Sequence, residues 1–389
     1  MTQRILVGTR KGTFIVDKTQ GRWRPSLAGH AGMGVSYVAR DPHTGTLWAL
    51  LGHGHWGAKL SRSTDEGRTW ADAPQITYPE GARYLDMGVP DENGEPTRGL
   101  SLKRATLLKL WCMAFGPNGR LYVGTIPGGL FESHDGGESF ALNRPLWSHE
   151  SRGGDLFAGE GSGKTAWFGT PAAMESGEFA PGIHSIMIDP RDPERILVAV
   201  STAGVLETTD GGKSWRGRNR GMLNDYLPDP AAEWGHDPHF VTLCPGQPDH
   251  VWQQNHSGVF YSDDGAASWR RVSQTEQGVH FGFPVATDDE DGRVAWLVPG
   301  RGDNQRMAID GALFVARTED GGRSWTQLRR GLPQEHAYDV VLRHSLDQRA
   351  GCLAFGSTTG NLYVSEDGGE SWQAVAHNLP PVYSVRFAR

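Results

Sequence analysis

Ser365-Glu366-Asp367-Gly368-Gly369-Glu370-Ser371-Trp372 closes a series of six copies of one eight-residue pattern, Ser/Thr-x-Asp-x-Gly-x-Ser/Thr-aromatic with Ala266 in the Gly place of one copy, in a chain of 389 residues. The earlier copies run Ser63 to Trp70, Ser133 to Phe140, Thr208 to Trp215, Ser262 to Trp269 and Thr318 to Trp325. In such a stretch the carboxylate accepts hydrogen bonds from nearby N–H and hydroxyl groups, Gly tolerates a positive φ, and the aromatic opens the next strand. The pattern therefore reads as a tight hairpin turn, and its repetition decides the architecture before any single residue is weighed.

Upstream of each turn stands the same phrase: an apolar strand, a polar step, a short loop ending in Gly, and a second apolar strand. Leu121-Tyr-Val-Gly-Thr125 before Gly129-Leu-Phe131 is one case, and Leu353-Ala-Phe-Gly-Ser357 before Gly360-Asn-Leu-Tyr363 another. A seventh phrase, Ile5 to Thr9 then Gly12 to Ile15, leads to Asp17, Gly21 and Trp23, a worn version of the turn. A further apolar strand precedes most phrases, at Val35 to Ala39, Trp111 to Phe115, Ile183 to Ile188, Phe240 to Cys244, Phe281 to Ala286 and Asp339 to Leu342. The first phrase lacks one, while a spare strand, Val382 to Phe387, follows the last turn. The expected fold is all-β: a seven-bladed β-propeller, closed by the C-terminal strand pairing with the N-terminal blade. One domain is expected over 1–389, with lid-like insertions at about 74–110 and 141–182.

Composition agrees with many short strands joined by tight turns: Gly is abundant at 53 residues and Trp at 14. A net charge of −7 offers no basic face for phosphate backbones or anionic lipids, so neither nucleic acid nor a membrane is an expected partner. No apolar stretch is long enough to span a bilayer, and no secretory leader is read before Ile5. Cys112, Cys244 and Cys352 are odd in number and lie in apparent strands, which points to buried reduced thiols and a cytoplasmic location.

Chemistry is expected at one end of the ring. The repeated aspartates lie on turns at the other end and are structural. Of 15 histidines, several fall in loops or strand starts at one end. Aligning the first strands on Pro190 and Pro245 makes His184 and His239 equivalent; Gly235-His-Asp-Pro-His239 adds His236 and Asp237, Asn255-His256 adds His256, and Gly52-His-Gly-His55 adds His53 and His55. Convergent imidazoles with a carboxylate suit zinc, iron, manganese or copper, or acid–base work near neutral pH. His184, His236, His239 and His256 are the expected metal ligands, with His53, His55, Asp237 and Arg301 as expected catalytic groups. Two motifs are set aside. Ala158 to Thr165 fits a loose phosphate-loop pattern without the strand and helix of a nucleotide fold, so no nucleotide is expected. Arg301-Gly-Asp303 is read as loop chemistry, with Arg301 available to an anionic substrate.

The eight-residue pattern is the Asp box, or bacterial neuraminidase repeat, and the chain resembles the sialidase-like β-propellers over nearly its whole length. Val7 to Gly12, Tyr37 to Pro42, Gly235 to His239, Gln253 to His256 and Leu379 to Pro381 are similar to phrases of bacterial Asp-box proteins related to the photosystem II stability and assembly factor. That resemblance implies the fold and leaves the reaction open. A sialidase would carry an Arg-Ile-Pro signature, and the nearest phrase here is Thr125-Ile126-Pro127.

Three functions follow. The first is a cytoplasmic enzyme with a His-rich metal site at the channel mouth, a hydrolase or lyase acting on a small polar or carbohydrate-like molecule. The second is a non-catalytic scaffold or assembly factor with a protein partner. The third is a sialidase-type glycoside hydrolase, for which Asp225, Asp237 and Glu233 would supply the carboxylate pair.

Overall fold

The computed structural model describes residues 4–55, 57–86, 101–149, 151, 182–226 and 229–388. Each eight-residue turn folds by the same set of bonds. In the copy at Ser63, the Ser63 hydroxyl donates to Asp65 Oδ1 at 2.8 Å and accepts the Gly67 N–H at 2.9 Å. The Thr69 N–H and hydroxyl then donate to the two Asp65 oxygens at 2.9 and 2.7 Å. Both residues after the Asp take positive φ, Glu66 at 61° and Gly67 at 84°. In the copy at Ser262 the second of these places holds Ala266 rather than Gly, at φ 66°. In several copies the Trp that ends the turn reaches the preceding blade: Trp70 Nε1 donates to Ala28 O at 3.0 Å, and Trp325 Nε1 to Val272 O at 3.1 Å.

Seven four-stranded sheets result, the blades of a seven-bladed β-propeller. The first blade has strands Arg4–Thr9, Gly12–Thr19 and Arg22–Gly29, and the second Gly34–Arg40, Leu47–His53, Gly57–Ser63 and Ala71–Asp72. The third is Lys109–Phe115, Leu121–Ile126, Leu130–Ser133 and Ala141–Leu142; the fourth is Ile183–Asp189, Asp192–Val200, Gly204–Thr208 and Arg216–Gly217. The fifth is Pro238–Leu243, Val251–Asn255, Gly258–Ser262 and Arg270–Arg271, and the sixth Gly282–Thr287, Ala295–Pro299, Val315–Thr318 and Thr326–Leu328. The seventh is Leu346–Arg349, Cys352–Gly356, Leu362–Ser365 and Gln373–Ala376. The fourth strand of the first blade is the C-terminal one: Val382–Phe387 lies antiparallel to Arg4–Thr9, with Phe387 opposite Ile5 and Val385 opposite Val7. The edge that Arg4–Thr9 would otherwise expose is thereby covered.

Two compact units carry these sheets. One, Met1–Ala73 with His239–Arg389, has its core between successive sheets. Trp252, Tyr261, Leu297 and Trp325 fill one such layer, Trp296, Leu353, Phe355 and Trp372 the next, and Ile5, Val16, Val364 and Val385 a third. The other unit, Pro74–Pro238, packs Tyr122, Leu130, Ile183, Val198 and Trp215 between the third and fourth blades. Apolar residues thus alternate toward neighbouring sheets, as stacked four-stranded meanders require.

Two details differ from the reading of the sequence. The worn turn near Asp17 is a two-residue hairpin: Thr19 faces Arg22 across Gln20 and Gly21, at φ 50° and 75°, while Asp17 pairs with Arg4 at 2.7 Å. The first strand of the seventh blade is Leu346–Arg349, not 339 to 342. There the buried Asp339 carboxylate accepts from Ser357 Oγ, Thr359 Oγ1 and Asn361 Nδ2 at 2.6, 2.6 and 2.7 Å, which ties the segment to a loop instead of a ladder. The described part of the insertion at about 74–110 packs on the third blade: the Tyr78 hydroxyl bonds Thr125 Oγ1 at 2.7 Å and its ring meets Phe131 and Trp147. Most of the insertion at about 141–182, including the Ala158 to Thr165 pattern, lies outside the described residues.

The cysteines are buried and unbridged. Among the described residues no helix is long and apolar enough to cross a membrane.

Candidate functional site

In the fifth blade the meander itself brings two histidines together. His239 is the second residue of Pro238–Leu243, and His256 follows the end of the next strand, Val251–Asn255. The two strands form a hairpin through Cys244 N to His250 O at 3.0 Å, so the start of one lies at the finish of the other. The imidazoles meet edge to face, with centroids 5.3 Å apart. His239 is 3 % exposed. Its Nδ1 donates to Gly282 O at 2.6 Å, which fixes the tautomer of the neutral ring. Phe283 stacks on it at 4.7 Å, and Phe281 meets both imidazoles edge on.

Asp237 stands two residues before His239 on the segment entering that strand, and its Oδ1 accepts the Thr202 N–H at 3.2 Å. One ligand atom each from Asp237, His239 and His256 lies within 4.8 Å of the others. Two neutral imidazoles and a carboxylate form the donor set of mononuclear sites that hold zinc, or iron and manganese, and keep positions for water or substrate.

The other residues singled out from the sequence are placed as follows. His184, buried in the fourth blade, is the residue that the register skips at a bulge between Ile183 and Ser185. Its Nδ1 is 3.1 Å from Ser185 Oγ, and its ring meets Trp111. His236 turns back on its own loop, Nε2 donating to Ala232 O at 2.7 Å; burial lowers its pKa, the carbonyl acting in the other direction. Neither belongs to the group of three. His55 is exposed in the turn after Leu47–His53; of His53 the backbone alone is described, paired with Gly57. Arg301 is exposed, 3.8 Å from Asp310.

Several neighbours of the imidazoles were not among the residues expected from the sequence. Asp303 Oδ2 is 3.8 Å from His256 Nε2, and Arg306 donates to Asp303 Oδ1 at 2.6 Å. Arg343 Nε donates to His239 O at 2.9 Å, its guanidinium lying over Phe283. One signal could have found Asp303: it lies between the second and third strands of the sixth blade, the connection equivalent to the one that carries His256 in the fifth.

No family model matches the chain. The oligoxyloglucan-reducing end-specific xyloglucanase of Emericella nidulans is 28% identical over 171 residues, which cover 41% of this chain and 19% of that protein. The chain therefore matches about a fifth of this relative's length. Among solved structures, an ancestral GH74 enzyme superposes with a TM-score of 0.51 at 15% identity, over 87% of this chain and 38% of the other. YCF48 bound to D1 peptide gives a TM-score of 0.49 at 15% identity, over 87% and 81%. The fold itself is a seven-bladed β-propeller, with the ancestral GH74 enzyme among its structural neighbours.

Proposed function

We propose that the chain is an enzyme that binds one divalent metal ion through Asp237, His239 and His256 and uses it in hydrolysis of, or elimination from, a small polar or carbohydrate-like molecule in the cytoplasm. One observation carries this reading: a carboxylate and two imidazoles present ligand atoms within 4.8 Å of one another. A ligating imidazole usually donates its other ring N–H to a carbonyl or carboxylate oxygen, as His239 Nδ1 does to Gly282 O. A bound divalent ion would supply acidity to a water or polarise a substrate oxygen. His239 and His256 hold; Asp237 holds and balances charge; Arg301, on the loop that carries Asp303, takes an anionic part of the substrate. His53 and His55 are given no step. The carbohydrate-like class draws support from the xyloglucanase relative over the matched stretch, and the cytoplasmic location from the three buried, unbridged thiols.

Elemental analysis of protein purified without a histidine tag tests the reading. The expected result is one divalent metal per chain, lost on His239→Ala, and hydrolytic activity toward a panel of small glycosides and esters that a chelator removes and added metal restores. A wild-type chain that neither retains nor takes up a stoichiometric divalent metal would sink it.

A further inference from the structure

Around the two imidazoles five contacts close on themselves. His239 stacks on Phe283 at 4.7 Å, with 28° between the planes. The Arg306 guanidinium lies over the same ring, 5.5 Å from its centroid. Arg306 grips Asp303 Oδ1 through Nη2 at 2.6 Å and Nε at 3.1 Å. Asp303 Oδ2 faces His256 Nε2 at 3.8 Å. His256 then returns to His239, ring to ring at 5.3 Å.

We propose that Asp303 is a positioning residue for His256, and that Arg306 clamps it in place; the inference rests on the metal reading above. Each of the two imidazoles then has an oxygen behind it. Gly282 O stands behind His239 at 2.6 Å, and Asp303 Oδ2 stands against His256. Oxygen partners of this kind orient a ligating imidazole and raise its basicity, and their loss weakens metal binding about 10- to 100-fold.

A surface Arg–Asp pair three residues apart contributes little, and exposure alone would place this one in that class: the Arg306 side chain is 56% exposed. Two features set it apart. The carboxylate divides its oxygens, Oδ1 to the guanidinium and Oδ2 toward the imidazole, whereas a plain ion pair needs no second target. The loop that presents it is also built: Arg301 N donates to Met307 O at 2.9 Å and Gln305 N to Gly302 O at 3.2 Å, so Asp303 projects from a tied turn. At 3.8 Å the contact with His256 is longer than a hydrogen bond. A cation held by the ring's other nitrogen would draw charge from the imidazole, make its remaining N–H a stronger donor and so shorten this contact.

The test is Co2+ titration of the full chain, followed by visible absorption, for the wild type, Asp303→Asn, Asp303→Glu and Arg306→Gln. Asp303→Asn should bind Co2+ about 10- to 100-fold more weakly and shift its absorption bands, because the ligand field changes. Asp303→Glu should recover part of the affinity, and Arg306→Gln should fall between wild type and Asp303→Asn. Thermal melts of the metal-free proteins should coincide, which separates positioning from folding; if Asp303→Asn does not fold, Arg306→Gln and Asp303→Glu carry the same comparison. Co2+ affinity and spectrum unchanged in Asp303→Asn would overturn the inference while leaving the metal site standing. A wild type that takes up no Co2+ would overturn the metal reading itself.

Discussion

The fifth blade uses carboxylates in opposite ways at its two ends. After Gly258–Ser262, Asp264 is surrounded by donors: Ser262 Oγ at 2.7 Å, and Ser268 N and Oγ at 2.9 and 2.6 Å. Burial pushes its pKa up, the hydrogen bonds from Ser268 and Ser262 outweigh that, and the net shift is downward. At the other end, where Val251–Asn255 finishes and Pro238–Leu243 begins, Asp237 comes within ligand distance of two imidazoles. A carboxylate among donors is complete, and contributes to the framework. Asp237, whose Oδ1 also accepts the Thr202 N–H, stands beside two imidazoles, and under the function proposed above it would face a cation as well. The same residue type is thus sorted by which partners the meander delivers to it.

If the framework is separable from the group around His239 and His256, the largest loss should come from breaking the framework alone. Deletion of residues 380–389 removes Val382, Val385 and Phe387, all buried, and uncovers Arg4–Thr9. At roughly 1.5–3 kcal/mol per buried apolar side chain, this approaches the whole stability of an ordinary domain. The truncated chain should unfold or aggregate; one that melts as the intact chain does would mean that the closing strand is dispensable.

A smaller effect sharpens the contrast within one sheet. Asp264→Ala should lower stability by roughly 1–2 kcal/mol, the net worth of the turn's hydrogen bonds, seen as a fall of a few degrees in Tm. Co2+ affinity should not change. A variant that melts normally yet loses metal would show that the two ends are not independent.

The blades were readable because an eight-residue signature recurs with apolar phrases at fixed offsets before it, and because a spare strand at 382–387 had an obvious vacancy beside Arg4–Thr9. What was harder to read were backbone events. The proline alignment made His184 equivalent to His239, and each is the second residue of its blade's first strand; that the His184 ring meets Trp111 was not legible. Asp339 looked like the opening of a strand, and its side chain instead gathers three donors. Asp303 was hidden inside an Arg-Gly-Asp tripeptide, and Phe283 inside an apolar strand. Their nearness to His256 and His239 depends on how two adjacent blades pack, a relation that sequence spacing does not carry.

The smallest and most diagnostic effect is in the acid limb of stability, where framework groups titrate in two windows. His30 is half-buried with Nδ1 2.9 Å from Thr13 Oγ1 and Nε2 3.0 Å from Ser61 Oγ, and desolvation lowers its pKa to about 4. An unfolded histidine takes up its proton near about 6.5, so the unfolded chain binds more protons between about 6.5 and 4, and stability declines as the pH falls through that range. Asp65 follows. Hydrogen bonds from the Thr69 hydroxyl and N–H and from the Ser63 hydroxyl lower its pKa to about 2. Its contribution is complete above the unfolded value of about 3.9 and disappears as pH falls from there through about 2. Urea midpoints measured from pH 7 to pH 2.5 should therefore show wild type and Asp65→Asn differing most above pH 4 and converging below it, while the decline between about 6.5 and 4 is shared by both. A gap between them that stays constant down to pH 2.5 would mean that the turn carboxylate titrates as an ordinary surface group, and the distinction between a finished carboxylate and a ligating one would lose its energetic basis.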